Sequence, residues 1–337
     1  MYATRSMIWY LERWAYSINN WKDLGMTEYR GMPAVKAMAE EFKNRVAALK
    51  EKGIYPKLAV VRVGEREDDI AYEKGIMKRF GAVEAEAEVI KLPLDIDEAS
   101  FEENITRLNA DEKVHGILVF RPLPKQLSDD RLKELIRPDK DVDSISMVNA
   151  AKVFAGDKTG YAPCTAQAVM ELLEHYQADL TGKKVVIVGR SLVVGRPLAM
   201  LMLGKNATVT ICHTKTKNIE DECRRADILV ACAGSARMIK KNFTSPGQIV
   251  VDVGINFVDG AMCGDVDYDE VSEQVAAITP VPGGVGTVTT SVLLKHTLES
   301  AERILVINGY SYSGILCGGR LGQGSGPCPK VSSPTKK

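Results

Sequence analysis

The stretch Lys183-Lys-Val-Val-Ile-Val-Gly-Arg-Ser-Leu-Val-Val-Gly-Arg-Pro197 decides the fold. Val185 to Val188 are consecutive β-branched apolar residues, as expected of a parallel strand covered on both faces. Gly189 ends that strand. Gly195 and Pro197 suit the opening of a helix, where proline gives up no hydrogen bond that the helix needs. A strand–turn–helix of this kind presents free backbone N–H groups and the positive end of a helix dipole, which together hold phosphate. The spacing is G-x-S-x-x-x-G, with Ser191 where the dinucleotide fingerprint has its second glycine. By itself the pattern also fits a plain connection, so the surroundings decide. Ala207-Thr-Val-Thr-Ile-Cys-His213 reads as the next strand and runs into His213-Thr-Lys-Thr-Lys217. A site for the unphosphorylated nicotinamide cofactor wants a carboxylate at that strand's end, for the ribose 2′-hydroxyl. Thr214 and Lys215, with Arg190 on the loop, favour a 2′-phosphate instead. The reading is NADP, with NAD as the alternative and a solvated basic turn as the plain explanation.

The chain has 337 residues, 45% hydrophobic and 26% charged, which suits two globular domains. Net charge is zero, so nothing points to a nucleic-acid partner or an anionic membrane surface. Cysteines are scattered without C-x-x-C spacing, several within apolar runs, which predicts a reducing, cytoplasmic setting and neither a disulfide framework nor a zinc site. The histidines lie far apart and form no metal-ligand pattern. No apolar run approaches the roughly 20 residues of a membrane span.

Residues 1–25 stand apart: Trp9, Trp14 and Trp21 all fall there, at spacings that allow a short amphipathic helix, and no role is assigned to them. From residue 26 to 150 the pattern is a helix (33–50), a strand (57–63), a charged loop (64–69), a helix (70–83), a strand (87–92), a helix (101–108) and a strand (116–120). A short helix (128–136) and a polar stretch (138–150) follow. This alternation predicts a parallel sheet with helices on its faces. Residues 151–287 hold a second α/β unit, with a helix at 166–176 and strands at 185–188, 207–212, 228–232 and 249–253. Thr279-Pro-Val-Pro-Gly-Gly-Val-Gly286 is a rigid loop incompatible with helix. A last helix (288–303) leads to a glycine- and serine-rich tail (304–337) that reads as disordered.

Tyr72 on its helix, the aspartates of Lys140-Asp-Val-Asp143 and the 279–286 loop are each ordinary by themselves: packing, turn formation, a stiff connection. Their order is not. Tyr72, Pro122-Leu-Pro124, Lys140-Asp-Val-Asp143, Pro163-Cys-Thr165, Gly189-Arg-Ser191 with Gly195-Arg-Pro197, Asp252-Val-Gly-Ile-Asn256, Gly264-Asp-Val266 and the 279–286 loop succeed one another. This set strongly resembles the bifunctional methylenetetrahydrofolate dehydrogenase/methenyltetrahydrofolate cyclohydrolase family, over about residues 28–303. The resemblance implies two α/β domains around a cleft, a parallel-sheet catalytic domain and a Rossmann-like NAD(P)-binding domain, with the last helix crossing back to the first. It implies a homodimer and a tetrahydrofolate substrate, oxidised by NAD(P)+ at its methylene bridge. The methenyl product is then hydrolysed to 10-formyltetrahydrofolate. It implies that Asp143 holds the pterin, that Tyr72 lines the folate site and that Pro282, Gly283 and Gly284 bring backbone close to the folate. Gly189, Arg190, Ser191, Gly195, Thr214, Lys215 and Ile255 would meet the cofactor.

The chain departs from the family at one polar pair. Most members place a lysine four residues after the tyrosine, central to the cyclohydrolase step, and here that position is Ile76. The glutamine that positions the lysine is Phe120 here. Lys74 and Lys78 are near in sequence, but a helix turns about 100° per residue, so neither shares the face of Tyr72. Losing both partners avoids the cost of about 1–3 kcal/mol for stranding one buried polar group. The expectation is a dehydrogenase with weak cyclohydrolase activity. The alternatives are the full bifunctional enzyme, a catalytically silent dinucleotide binder, and an unrelated dehydrogenase using Lys140 and Asp141.

Overall fold

The computed structural model describes residues 26–307. The extension at 1–25, and the expected tail from residue 308 on, lie outside the described residues. The first unit follows an opening strand, β1 (Thr27–Glu28). It comprises α1 (Gly31–Lys50), β2 (Lys57–Val63), α2 (Glu67–Gly81), β3 (Glu86–Leu92), α3 (Glu98–Ala110), β4 (Gly116–Val119), α4 (Asp129–Leu135) and α5 (Met147–Ala155). Its sheet is β3-β2-β4, parallel throughout. The second unit comprises α6 (Cys164–His175), β5 (Lys184–Val188), α7 (Gly195–Leu203), β6 (Thr208–Cys212), α8 (Ile219–Arg224), β7 (Ile228–Ala231), β8 (Ile249–Asp252), β9 (Asn256–Val258), β10 (Ala261–Cys263), α9 (Tyr268–Ser272) and β11 (Ala277–Ile278). A long helix, α10 (Thr289–Ile307), closes the chain. The second sheet is parallel, in the order β1-β11-β8-β7-β5-β6, and β9 and β10 form a separate antiparallel hairpin. The α/β class and the Rossmann-like second unit are as expected.

Five details differ from the sequence reading. Thr27–Glu28 pairs with β11, so the chain enters through the second sheet and not through the first unit. A two-residue strand has no periodicity to read. Helix α2 begins at Glu67, and its first turn carries Glu67, Asp68 and Asp69, carboxylates that suit the positive end of a helix. Part of the expected charged loop is therefore helix. The polar stretch at 138–150 runs into α5, where Ser146 Oγ accepts from the Asn149 N–H at 3.3 Å and Gly156 ends the helix at φ 70°. The β9–β10 turn is Asp259-Gly260, with φ of 52° and 78°, the backbone of a tight hairpin turn. The last helix also runs on through residues 304–307, assigned to the tail from sequence.

Helix α10 ties the two units. It packs on α1, α2 and α6. Its Val292, Leu293, Leu298 and Ala301 share one continuous core with Phe42 and Val46 of α1, Ile76 and Phe80 of α2, and Val169 and Leu172 of α6. Each fully buried large apolar side chain there stabilises by about 1.5–3 kcal/mol. Two ion pairs sit on this core. Arg45 Nε and Nη2 reach the two Glu302 carboxylate oxygens at 2.8 Å each, and Lys295 Nζ reaches Glu171 Oε1 at 2.7 Å. The Arg45 and Glu302 side chains keep only 11% and 6% of their surface. Replacing Arg45 by Met removes the two-pronged partner of the Glu302 carboxylate and should lower the unfolding free energy in a urea titration by about 1–3 kcal/mol. A loss below about 1 kcal/mol would mean that the pair is solvated.

Candidate active site

Tyr72 lies on the side of α2 that meets the start of α10. Its hydroxyl donates to Thr289 Oγ1 at 3.3 Å, and Thr289 in turn donates to the Gly286 carbonyl at 3.0 Å. The Tyr72 ring meets Phe120 edge-on at 6.0 Å. Burial raises the pKa of the phenol, and the neighbouring Cys164 and Asp143 push the same way, so it stays protonated. Asp143 Oδ1 accepts from the Cys164 backbone N–H at 3.0 Å, at the first turn of α6. Burial raises the Asp143 pKa, and the Cys164 N–H works against that. The Cys164 thiol is pushed well up by burial and then by Asp143. Tyr72 and Asp143 thus share one electrostatic cluster, built from α2, the turn before α5, and the first turns of α6 and α10.

Ile76 is fully buried and Phe120 keeps 9% of its surface; both belong to the core shared with α10. Lys74 and Lys78 are exposed. Beside Tyr72, Glu73 pairs with the buried Arg62 at 2.9 Å and fixes α2 to β2. The unrelated-dehydrogenase alternative needs a free lysine–aspartate pair, and that pair is spoken for. Lys140 Nζ donates to the carbonyls of Leu108, Asn109 and Asp111 at 3.1, 2.8 and 2.6 Å. Asp141 accepts from the N–H groups of Ile145 and Ser146 at 2.9 and 2.8 Å and from Asn149 Nδ2 at 3.0 Å. One closes the end of α3 and the other builds the turn that carries Asp143.

The glycine turn of the second unit sits at the carboxyl end of β5. Gly189 has φ 136°, and a Cβ there would run into the Cys232 carbonyl. A Cβ on Gly195 would run into the Gly189 carbonyl. Both positions need glycine for the turn to fold back on itself. Ser191 explains the altered spacing: its Oγ accepts from the Val194 N–H and its carbonyl from the Arg196 N–H, at 3.1 Å each, so it closes the turn from within. The Gly189 N–H bonds the Cys212 carbonyl at 2.9 Å and holds the turn beside the end of β6. Arg190, Thr214 and Lys215 are all exposed there. The donors fit a phosphorylated nucleotide: a backbone cradle at the opening of α7, and basic and hydroxyl groups at the ends of β5 and β6.

The 279–286 loop lies where β11 hands over to α10. The Gly31 N–H bonds the Gly283 carbonyl at 2.8 Å, and Gly283 takes φ 110°. A Cβ on Gly284 would come within 2.6 Å of the Pro280 carbonyl. The loop and the residues after β8 enclose a cavity of about 200 Å³ lined by Ile255, Met262, Pro282, Gly283 and Gly284. Two buried carboxylates hold its wall. Asp252 accepts from the N–H groups of Gly254, Asp265 and Val266 at 2.9, 3.0 and 2.9 Å. Asp265 accepts from those of Ala233, Gly234 and Ser235 at 2.6, 2.9 and 2.8 Å, and from Asn256 Nδ2 at 2.9 Å. Gly254 and Gly264 are glycine because a Cβ at either would strike one of these carboxylates. Thr289, His296 and Asp265 escaped the sequence reading. Asp265 stood in a recognised motif without a role, and a lone threonine or histidine in a helix gives no signal.

Two parallel α/β units joined by a shared helix, with a nucleotide-type turn at the strand ends of the second, define a two-domain dinucleotide-dependent enzyme class. Residues 30–143 match the family described as tetrahydrofolate dehydrogenase/cyclohydrolase, catalytic domain, and residues 163–305 match its NAD(P)-binding domain. The bifunctional protein FolD of Carboxydothermus hydrogenoformans is 53% identical over 282 residues, covering 83% of this chain and 97% of that protein. That of Alkaliphilus oremlandii is 49% identical over 274 residues, covering 81% and 96%. The crystal structure of the bifunctional FolD enzyme from Campylobacter jejuni superposes with a TM-score of 0.81 at 40% identity, covering 83% of this chain and all of that one. The Trypanosoma brucei FolD structure, complexed with NADP and an inhibitor, does so with 0.78 at 34% identity, covering 83% and 98%. The chain belongs to the tetrahydrofolate dehydrogenase/cyclohydrolase family.

Burial lifts the Asp252 carboxyl to about 6 despite its three N–H donors. That is above the ~3.9 of an unfolded aspartate, so the folded state holds this proton more tightly. Its contribution to stability is complete below about pH 4 and is lost as the pH rises through about 6. Carbon NMR of the Asp252 Cγ should show a midpoint near 6. A midpoint at the unfolded value would mean that the three N–H bonds outweigh burial.

Proposed function

We propose that this enzyme oxidises 5,10-methylenetetrahydrofolate to 5,10-methenyltetrahydrofolate with NADP+, and hydrolyses the product only weakly. The observation that carries the second half is the burial of Ile76 and Phe120 in one apolar core beside a retained Tyr72 and Asp143. The relatives at about half identity bear the name of a bifunctional protein, and the T. brucei structure holds NADP, which supports the substrate class and the cofactor.

NADP+, when bound, would supply the hydride acceptor for the methylene carbon. What the chain does is place that carbon. Asp143 keeps acceptor capacity beyond the bond it receives from Cys164 and takes the N–H groups of the pterin. Tyr72 offers its ring as a wall and its hydroxyl as a fixed, protonated group. Pro282, Gly283 and Gly284 let backbone approach the folate, and Ile255 faces the same cavity. The Gly189–Gly195 turn, Arg190, Ser191, Thr214 and Lys215 hold the cofactor phosphates. Holding two reactants in register is most of what hydride transfer asks of a protein.

Hydrolysis asks for more, because water must lose a proton as it adds to the methenyl carbon. Tyr72, held above its ordinary pKa, is a poor base near neutrality. The family lysine is absent, and Lys74 and Lys78 point elsewhere on α2. A homodimer built through the second unit and a reducing, cytoplasmic setting belong to the same reading. Cys164, Cys212, Cys223, Cys232 and Cys263 are free thiols, and among the described residues no helix is long and apolar enough to cross a membrane.

Two sets of variants test this. Ile76→Lys combined with Phe120→Gln should raise cyclohydrolase turnover by about 10²-fold while oxidation continues; a folded double variant with no gain contradicts the lysine argument. Lys215→Ala should raise the KM for NADP+ about tenfold and leave that for NAD+ nearly unchanged, since a charge-assisted phosphate contact is worth about 1.5–3 kcal/mol. Equal effects on both cofactors would place the 2′-phosphate elsewhere.

A further inference from the structure

The Val142 carbonyl, directly before Asp143, is where two helices converge. His296 lies in the first half of α10, keeps 4% of its surface, and brings Nδ1 to 2.8 Å from that oxygen. A carbonyl can only accept, so Nδ1 carries the hydrogen. Cys164 Sγ donates to the same oxygen at 3.4 Å, and its own N–H goes to Asp143 Oδ1 at 3.0 Å. Sγ and Nδ1 stand 3.9 Å apart, and the Tyr161 ring backs the imidazole at 5.1 Å. The Val142 carbonyl and the Asp143 nitrogen belong to one rigid peptide plane. Fixing the carbonyl therefore fixes the position of the Asp143 Cα, from which the side chain leaves the backbone.

We infer that His296 is a positioning residue for folate: its Nδ1–H clamps the Val142–Asp143 peptide to α10 and so aims the Asp143 carboxylate at the substrate. Burial lowers the pKa of the imidazole, which agrees with a neutral ring donating through Nδ1 alone. The effect reaches the substrate only through Asp143, so the inference rests on the reading of Asp143 as the pterin-holding group. A carboxylate displaced by a fraction of an ångström loses affinity and alignment together. The cofactor side, at the ends of β5 and β6, is left untouched.

The test is a set of kinetic variants with both substrates titrated. His296→Leu fills the space without a donor. It should raise the KM for 5,10-methylenetetrahydrofolate about tenfold and shift that for NADP+ by less than about twofold, as expected for one lost buried hydrogen bond to a positioning group. His296→Asn can place an amide N–H where Nδ1 sits, and should stay within about threefold of the parent. Asp143→Asn is the reference. If it raises the folate KM and His296→Leu does not, the role of His296 is overturned while Asp143 keeps its own. If Asp143→Asn leaves the folate KM unchanged, both fall. Equal losses in the Leu and Asn variants, or a matched rise in both KM values, reduce His296 to packing. Nitrogen NMR of the unmodified enzyme needs no variant to fold: the Nδ1–H tautomer at neutral pH is expected, and the Nε2–H tautomer overturns the inference.

Discussion

The burial of α10 is the constraint on which the rest depends. The helix leaves the second sheet at Thr289, crosses to the first unit and buries Val292, Leu293, Leu294, Leu298, Ala301 and Leu305. Most of a helix's stability in a protein comes from packing its apolar face, and here that packing is against α1, α2 and α6. Because the same core contains residues of both units, the two sheets are set at a fixed distance, and so are the groups that face each other between them. Thr289 then meets Tyr72, His296 meets the Val142 carbonyl, and Glu302 meets Arg45, in order along one helix.

That arrangement also explains how a lysine can vanish without damage. The position four residues after Tyr72 faces the core that α10 fills. A lysine there needs a polar partner, or it leaves an ammonium among apolar neighbours, at a cost of several kcal/mol. Isoleucine with phenylalanine at 120 removes both ends of that requirement and adds to the packing. Both side chains are buried in the core. On the proposed reading the exchange costs the site the group best able to move a proton, and hydride transfer, which moves none, is spared.

The fold was legible where burial is two-sided. The apolar, β-branched runs of β2, β5 and β7 read as buried strands, and the glycines of the 189–195 turn marked a tight backbone turn. The family motifs, taken in order, pointed to Tyr72 and Asp143, and the structure places them in one cluster. What escaped lives in contacts between distant residues. Two residues of β1 become a strand only because β11 lies beside them. Asp252 and Asp265 stood in motifs without a role of their own, and their work is to collect N–H groups from three separate segments. His296 has no local signature, since its meaning depends on a carbonyl more than a hundred residues earlier. The start of α2 escaped for another reason: its acidic first turn looks the same in a loop.

The most direct measurement is a two-wavelength assay with 5,10-methylenetetrahydrofolate and NADP+, following the reduced cofactor and the methenyl product together. Methenyl product should build up in step with the reduced cofactor and then decay no faster than it does without enzyme. If the cofactor is reduced and the methenyl product is cleared as fast as it forms, the apolar pair at 76 and 120 has not disabled hydrolysis, and the account is wrong at its centre.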